Sequence, residues 1–498
     1  MSAQPNNDVD VSYSDDVVDQ IAAGKRFAGL FATAPASPHD SGVRLSVVLA
    51  GDTGFDLLDT TIGQKVESIT PRVAAAFWYE RVIHDLFGIT PTGHPRLDPL
   101  VLPQEDDEDR RYPRPGSAAS IDTITPSEQA VPRRITGTEM FTMPHGPVRS
   151  GVTESIEYLV ETPGEEIPHL QVRVFAKHRG VERAFQGRTL LGGALVAERV
   201  EGIAGVAHTL AYCQAIESLS DVEIPPAAQL IRALHAELER MANHLEVVAK
   251  LCDAAGLVLA QSRFTLHKET VQRIRHRLCG NRYSRAVVIP GGVNTPREVP
   301  WPWLDNALTS LWDDLRRDRN TLMVTSSFLD RVRTTGPLSS DVATEYGALG
   351  PVGRGSGIHN DVRKQRPYGA YPTLAMPNTR AAPTCDALAR LQVRWIEIDE
   401  SLLLGLQISE RLFSLRADSP LVVPLGPVSG RGIGATEGPQ GETLYVVEVN
   451  NGHLVRVWPR SPSFHNLVLF HQVFHGDVLT DFAFIEASFG ISNAGVVV

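Results

Sequence analysis

The order of apolar and polar residues predicts short strands near both ends of the chain and long helices between them. Residues 43–51 and 55–63 are rich in apolar and β-branched side chains and flank a glycine-containing turn, which favours two strands. Residues 72–88 repeat apolar side chains at helical spacing, and Gly88 supplies a common helix end. A second β-rich stretch covers residues 443–460.

Helical patterns dominate the centre of the chain. Residues 194–219, 227–260 and 385–409 carry apolar residues at helical spacing. The second of these segments has one continuous apolar stripe, made of Leu230, Ile231, Leu234, Leu238, Met241 and Leu245. Upstream of the helices, the Pro-Gly pair at 163–164 predicts the turn of a β-hairpin within residues 155–175.

These elements predict an α+β protein in four parts. Residues 1–19 are interpreted as a flexible N-terminal arm and residues 20–103 as a small α+β domain. Residues 104–134 are charged and then rich in Pro, Ser and Ala, which is typical of an exposed linker. Residues 135–498 form one large, mainly helical unit with β-rich pieces at both ends.

The net charge of the chain and the length of its apolar stretches exclude some classes of function. The chain has 498 residues with 47 Lys plus Arg and 58 Asp plus Glu, a net charge of −11, so the basic footprint of a nucleic-acid-binding protein is missing. No stretch offers the ~18 uncharged apolar residues of a membrane helix. The N-terminus has no basic region followed by an apolar one, as a secretory signal would. We therefore expect a cytoplasmic protein that reaches a membrane only through partner subunits.

The cysteines do not predict a metal centre. No CxxC pair occurs, and a thiolate-bound zinc ion or iron–sulfur cluster needs such pairs. We predict four buried, reduced thiols, at Cys213, Cys252, Cys279 and Cys385.

Four polar stretches could carry chemistry. Residues 178–183 place ionisable side chains around a glycine, as a pocket corner or a solvated turn would. Residues 345–371 form a long loop that is either anchored and functional or flexible and exposed. Residues 430–442 are rich in glycine but match neither a phosphate loop nor a dinucleotide fingerprint, so their glycines more simply allow turns or close backbone approach. Residues 237–244 place a Glu, an Arg and a His on neighbouring helical turns, which favours a structural ion-pair network.

Several of these stretches resemble one family. Residues 79–103 resemble the signature of the C-type subunit of respiratory complex I. Seven further stretches resemble the D-type subunit of complex I and the large subunits of energy-converting nickel–iron hydrogenases: residues 179–190, 197–217, 237–245, 290–293, 350–371, 390–401 and 434–447. The order also matches fused C/D chains and the large subunit of formate hydrogenlyase. The resemblance implies a C-subunit-like domain followed by a D-subunit-like or hydrogenase-large-subunit-like domain.

The resemblance also implies a function and partners. Such a chain is a peripheral-arm subunit of a membrane-associated oxidoreductase complex, on the cytoplasmic side of the membrane. It lies beside an iron–sulfur small subunit, which holds the cluster, and beside ion-translocating membrane subunits. It would help form a quinone or other acceptor cavity. The alternative is a non-catalytic structural or coupling subunit of such a complex.

The metal ligands of the hydrogenase relatives are missing. Those relatives bind nickel and iron through two CxxC pairs, whose positions here correspond to Glu201, Ala204, Ser492 and Gly495. A carboxylate and a hydroxyl do not replace soft sulfur donors. We therefore expect no bound metal and no hydrogenase activity from this chain by itself. The apolar tail, residues 481–498, resembles the strand and turn that deliver the second ligand pair, so we expect it to be buried.

The quinone-binding groups of complex I are also incomplete. The D-type subunit has a tyrosine where this chain has Gly202, and a histidine-rich hairpin where this chain has residues 142–151. We predict one polar cluster around the vacated cavity, and we expect this chain to bind no cofactor of its own apart from a quinone or another acceptor held there. Its proposed proton-transfer or coupling residues are Glu201, His178 and Glu182. Its proposed lining residues are His145, Arg149, Arg179, Gly202 and Ser492.

Overall fold

The computed structural model describes residues 12–35, 42–103, 112–115, 140–149, 155–295, 301–415 and 419–496. It has an α+β architecture, as predicted. The predicted linker lies outside these ranges except for residues 112–115, and residues 12–19 of the predicted arm belong to the first helix.

The N-terminal region is a small sheet covered by helices. Its elements are α1 (Ser12–Ala22), β1 (Arg26–Thr33), β2 (Val43–Ala50), β3 (Phe55–Ile62), β4 (Lys65–Glu67), α2 (Phe77–Phe87) and β5 (Thr90–Thr92). Strands β1, β2 and β3 form an antiparallel sheet in sequence order, while β4 and β5 pair in parallel. Helix α2 ends at Gly88, which has a left-handed φ of 74°. The predicted strands and the predicted helix end are therefore confirmed.

The next part of the chain begins with an antiparallel three-stranded sheet and continues into helices. Its elements are β6 (Phe141–His145), β7 (Glu157–Thr162), β8 (His169–Arg173), α3 (Val181–Phe185), α4 (Leu190–Ala197), α5 (Gly205–Glu217), α6 (Pro226–Ala254) and α7 (Val258–Cys279). Strands β7 and β8 form the predicted hairpin. All six residues of the predicted stripe on α6 are buried.

The remaining elements return the chain to the N-terminal region. They are β9 (Val288–Ile289), β10 (Gly292–Val293), α8 (Trp301–Leu322), α9 (Ser326–Val332), α10 (Ser340–Glu345), α11 (Gly350–Gly355), α12 (Val362–Gln365), α13 (Ala387–Ser414), β11 (Gly430–Gly438), β12 (Gly441–Asn450), β13 (His453–Arg460), α14 (Pro462–Leu467), α15 (Phe482–Phe489) and α16 (Asn493–Val496). Helices α6, α7, α8 and α13 enclose one apolar core. A second core joins β1 and β2 to the C-terminal elements, where Phe31 stacks on Trp458 with ring centroids 4.7 Å apart.

Two helix predictions and the strand expected in the tail need correction. Residues 194–219 are not one helix, because the chain leaves α4 and turns through residues 198–204 before α5. Gly205 starts α5 so close to the Glu198 carbonyl that an added Cβ would lie 2.9 Å from its oxygen, so the chain folds back on itself there. Residues 227–260 are interrupted at Gly256, whose φ of 69° lies in the left-handed region. The tail is buried as expected, but it is helical in α15 and α16 and contains no strand within the described residues.

The structure also tests the predictions made for the glycine-rich stretch and for the cysteines. Gly432 and Gly434 lie on β11 against α5, where an added Cβ would overlap the carbonyl oxygens of Ala215 and Ala211. Close backbone approach, one of the two predicted roles, is therefore the reason for these glycines. All four cysteines are free. Two are buried as predicted, Cys213 and Cys252, whereas Cys279 and Cys385 are partly exposed.

Candidate functional site

The turn between α4 and α5 buries Glu201 completely. Its Oε1 accepts a hydrogen bond from the Ser461 hydroxyl, at the end of β13. Gly495 packs against the same oxygen so closely that an added Cβ would overlap it. The two segments that resemble the metal-binding segments of hydrogenases therefore meet, although they lie at opposite ends of the large unit.

Arg179 and Ser492 support the contact between these two segments. The Nη2 of Arg179 donates to the carbonyl oxygens of Val200 (2.7 Å) and Ala494 (2.8 Å), which precede Glu201 and Gly495 in the sequence. Ser492 is also buried, and its backbone N–H donates to the hydroxyl of Ser463 at 3.1 Å. The guanidinium of Arg179 thus joins the two backbones directly.

His178 and Glu182 lie beside this contact. Burial and the neighbouring Arg179 lower the pKa of His178 to about 4, so its imidazole is neutral at pH 7. Burial raises the pKa of Glu182, and an ion pair with Arg456 at 3.0 Å opposes that shift. Both side chains line a cavity of about 50 Å³ that also reaches Ser461. The structure therefore connects the predicted proton-transfer residues through the hydroxyl that bonds to Glu201.

His145 and Arg149 form a separate group with partners that the sequence did not predict. Arg149 makes two hydrogen bonds to the Glu486 carboxylate, at 2.9 and 2.6 Å, and lies 5.1 Å from the ring centroid of Tyr158. The Nε2 of His145 is 3.3 Å from Arg149, and its ring contacts Phe482 edge to face. Burial and then Arg149 lower the pKa of His145. This group ties β6 and β7 to α15.

Two residues at the centre of the site escaped the sequence analysis. His208, on α5, has its Nε2 3.8 Å from Glu201 Oε2 and its Nδ1 2.9 Å from the Tyr445 hydroxyl. Glu201 lies in the turn before α5, so no helical spacing relates it to His208. Tyr445 is 237 residues away from His208 in the sequence, so no local pattern indicates it.

The predicted ion-pair network on α6 is confirmed and extends to other elements. Glu397 on α13 accepts from His244 at 2.8 Å and lies 3.3 Å from Arg240, while Arg363 lies 3.1 Å from Glu237. The network reaches a polar cavity of about 290 Å³ near α12. Burial, and also Asp361, raise the pKa of Glu437 on β11 to about 7, whereas Arg354 opposes this shift. The segment at 345–371 is therefore anchored by charge and contains the short helices α11 and α12; of its two tyrosines, Tyr371 is buried and Tyr368 is partly buried.

The donor set does not fit a nickel–iron centre. The side chains at the four corresponding positions are a carboxylate, a methyl group, a hydroxyl and a hydrogen, and Glu201 Oε1 fills the space beside Gly495. In the part of the chain that the structure describes, no three His, Cys, Asp or Glu side chains converge as a metal-binding group. No helix within the described ranges has both the length and the apolar composition needed to cross a bilayer.

Comparisons with known proteins cover both regions of the chain. Residues 18–113 match the family model of the respiratory-chain NADH dehydrogenase 30 Kd subunit, and residues 260–424 match that of the 49 Kd subunit. The chain is 30% identical over 352 residues to the carbon monoxide-induced hydrogenase of Rhodospirillum rubrum, covering 70% of this chain and 96% of that protein. It is 28% identical over 470 residues to the fused C/D subunit of the NADH-quinone oxidoreductase of Cereibacter sphaeroides, covering 84% of this chain and 79% of that protein.

A solved structure has the same fold. A chain in the structure of the membrane-bound sulfane sulfur reductase, an archaeal respiratory membrane complex, aligns with a TM-score of 0.67 at 23% identity. The alignment covers 73% of this chain and 100% of that chain.

Proposed function

The chain belongs to the family that contains the respiratory-chain NADH dehydrogenase 49 Kd subunit and the carbon monoxide-induced hydrogenase, and on that premise we propose that it is a subunit of a membrane-associated oxidoreductase complex. In this proposal it lies in the peripheral arm, on the cytoplasmic side, and contributes to a quinone or other acceptor site without a nickel–iron centre. Its partners are an iron–sulfur subunit and membrane subunits that move ions.

One observation carries the acceptor-site proposal: exposed apolar residues lie on the turn that buries Glu201 and on the helix before that turn. Gly202 and Ile203 follow Glu201 in the sequence and are exposed, and Leu191 and Leu195 on α4 are 54% and 42% exposed. Leu191 and Leu195 are four residues apart, so they lie on one face of the helix. Exposed apolar groups next to a buried polar group favour a surface that is covered by another protein of the complex.

We expect the double substitution Leu191→Asp/Leu195→Asp to weaken assembly with the iron–sulfur partner by about tenfold or more. Burying a leucine contributes about 1.5–3 kcal/mol, and each 1.4 kcal/mol corresponds to about tenfold in affinity. The measurement is the amount of partner that co-purifies with the tagged chain. Leu259→Asp, at a site on α7 that is 79% exposed, is the matched control. Undiminished co-purification of the double variant would show that α4 is not the docking face.

The size of the cavity that His178, Glu182 and Ser461 line limits which ligands can bind inside it. Its volume of about 50 Å³ is well below the roughly 300–1,000 Å³ of typical small-molecule pockets. In our proposal the acceptor is therefore held between Gly202 and the partner, and His178, Glu182 and Glu201 act behind it as proton-transfer groups. The small cavity and the missing hydroxyl at Gly202 also favour the second candidate, a coupling subunit that binds no acceptor.

Metal analysis and quinone-analogue binding on the assembled complex separate the two candidates. For an acceptor site we expect analogue binding with no stoichiometric nickel. An added Cβ at Gly202 would meet nothing within 4 Å, so we choose Gly202→Tyr to add the hydroxyl that complex I relatives have. That hydroxyl should tighten analogue binding by about fivefold, because a hydrogen bond contributes about 1 kcal/mol. Failure of both forms to bind the analogue would favour the coupling subunit, and nickel in a one-to-one amount would contradict both candidates.

A further inference from the structure

A chain of four buried polar side chains runs through the site. The Tyr445 hydroxyl is 2.9 Å from Nδ1 of His208, Nε2 of His208 is 3.8 Å from Oε2 of Glu201, and Oε1 of Glu201 accepts from Ser461. All four residues have a relative exposure of 0%. Within the described residues, His208 Nε2 and Glu201 Oε2 have no hydrogen-bond partner, although they face each other. Their separation is slightly longer than a hydrogen bond, so a small side-chain rotation would close it.

The charged groups around Glu201 and His208 already have other partners. Arg179 bonds to backbone carbonyls, Arg456 pairs with Glu182, and Arg460 bonds to Glu442. On the α6 side, the Glu239 carboxylate accepts from the backbone N–H groups of Val206 and Ala207 and lies 3.6 Å from Arg275. Burying a carboxylate without a hydrogen-bonded cation costs several kcal/mol. A single proton on Glu201, beside the neutral imidazole of His208, removes that cost.

Two neighbouring cavities with shared lining residues lie beside this region. The outer one, of about 70 Å³, is lined by the exposed Arg114 and Arg183, and the inner one, of about 50 Å³, ends at Ser461. His178 and Glu182 line both cavities. A water molecule requires about 10–15 Å³ of such volume, so both cavities have room for water. Nδ1 of His178 is buried without a hydrogen-bond partner among the described residues, which leaves it free to bond to such a water.

We propose that Glu201 and His208 form a buried site that holds one proton, and that this proton exchanges with solvent through water in the two cavities, by way of His178, Glu182 and Ser461. On uptake, a cavity water that has received a proton from solvent gives its excess proton to Ser461 Oγ as the hydroxyl proton of Ser461 passes to Glu201 Oε1, so that the water is left neutral. Release is the reverse, and no electrons move. The proposal deepens the proton-transfer role assigned to Glu201, but it requires no acceptor and no partner subunit.

Infrared difference spectra between low and high pH, recorded on the full-length chain, test the site. We expect a protonated-carboxyl band that shifts in D₂O, that is lost in Glu201→Gln, and whose pH midpoint moves in His208→Gln. Glu410→Gln, at an exposed position on α13, is the control and should leave the band unchanged. Identical difference spectra for the wild type and Glu201→Gln would overturn the proposal. If Glu201→Gln does not fold, an unmoved band in His208→Gln would overturn it equally.

The rate of hydrogen–deuterium exchange of the same band tests the route. Ser461→Ala should retain the band but slow its exchange by about tenfold or more, because a positioned proton-transfer group typically contributes about 10²–10⁴-fold. Glu182→Gln should slow it in the same direction. Unchanged exchange in Ser461→Ala would overturn the route. These spectra are recorded without partner or quinone, so failure of the acceptor-site proposal would not affect them.

Discussion

Glu237→Ala should lower the free energy of unfolding by about 3–5 kcal/mol, because it leaves several buried groups without their partner. Glu237 is fully buried on α6, where its carboxylate accepts from the Tyr371 hydroxyl at 2.6 Å and the Ser401 hydroxyl at 2.6 Å. Arg363 contacts both of its oxygens at 3.1 Å, and Arg240 lies 3.3 Å away. Removing the carboxylate would take one carboxylate partner from each of two buried guanidinium groups and the acceptor from two buried hydroxyls.

Urea titration followed by tryptophan fluorescence measures this change, since Trp395 is buried in the same core. Glu269→Ala is the control, because Glu269 pairs with Arg273 and Arg282 on the exposed side of α7, and exposed ion pairs contribute about 0–1 kcal/mol. A loss for Glu237→Ala no larger than that of the control would contradict a stabilising role for the network.

The effect of Glu237→Ala should also depend on pH. Burial alone would raise the pKa of Glu237, but Arg363 and Arg240, with the Ser401 and Tyr371 hydroxyls, lower it below the ordinary value of 4.5. A carboxylate with a lowered pKa stabilises the fold above its ordinary pKa, and this contribution is lost as the pH falls through the folded-state value. The difference between wild type and variant should therefore be complete at pH 7 and shrink below pH 4.5.

Phe470→Ala should cost about 3–5 kcal/mol of stability by leaving a cavity in the second core. Phe470 is 1% exposed, and its ring centroid lies 5.2–5.6 Å from those of four other rings. These are Tyr158, Phe474, Phe482 and Phe489. Two of them lie on α15, which carries the Glu486 partner of Arg149, so the substitution should also loosen the C-terminal elements.

Thermal unfolding measures the stability loss, and limited proteolysis reports on residues 482–496. Phe413→Ala is the matched control, because Phe413 is 69% exposed and surface substitutions usually change stability by less than about 0.5 kcal/mol. Equal melting temperatures for the two variants would contradict the packing role. Faster cleavage in the tail of Phe470→Ala alone would identify the aromatic cluster as the anchor of that segment.

Sequence analysis succeeded where the decisive signal is local. Gly88, the stripe on α6 and the turn at 163–164 depend on the spacing of a few neighbouring residues, and the structure confirms each of them. It failed at residues 194–219, because apolar residues continue at helical spacing through a turn that only packing imposes. The helical tail was also missed, since small and apolar residues suit a buried helix as well as a buried strand.

The same distinction applies to the candidate site: the chemistry of its side chains can be predicted from the sequence, but its long-range bonds cannot. The identity of Glu201, Ala204, Ser492 and Gly495 is sufficient to exclude thiolate ligands at those positions, because coordination chemistry depends on the donor atom. The bond between Ser461 and Glu201 and that between Arg149 and Glu486 join residues 260 and 337 positions apart, respectively, so neither bond leaves a local signal in the sequence.

The sequence by itself determined the α+β class, the main elements and the loss of the sulfur ligands, since these follow from local spacing and side-chain chemistry. Only the tertiary structure decided which charged groups are paired and which are left facing each other, as His208 and Glu201 are. The physical reason is that the protonation state of a buried group depends on its nearest neighbours in space. Folding brings those neighbours from distant parts of the chain.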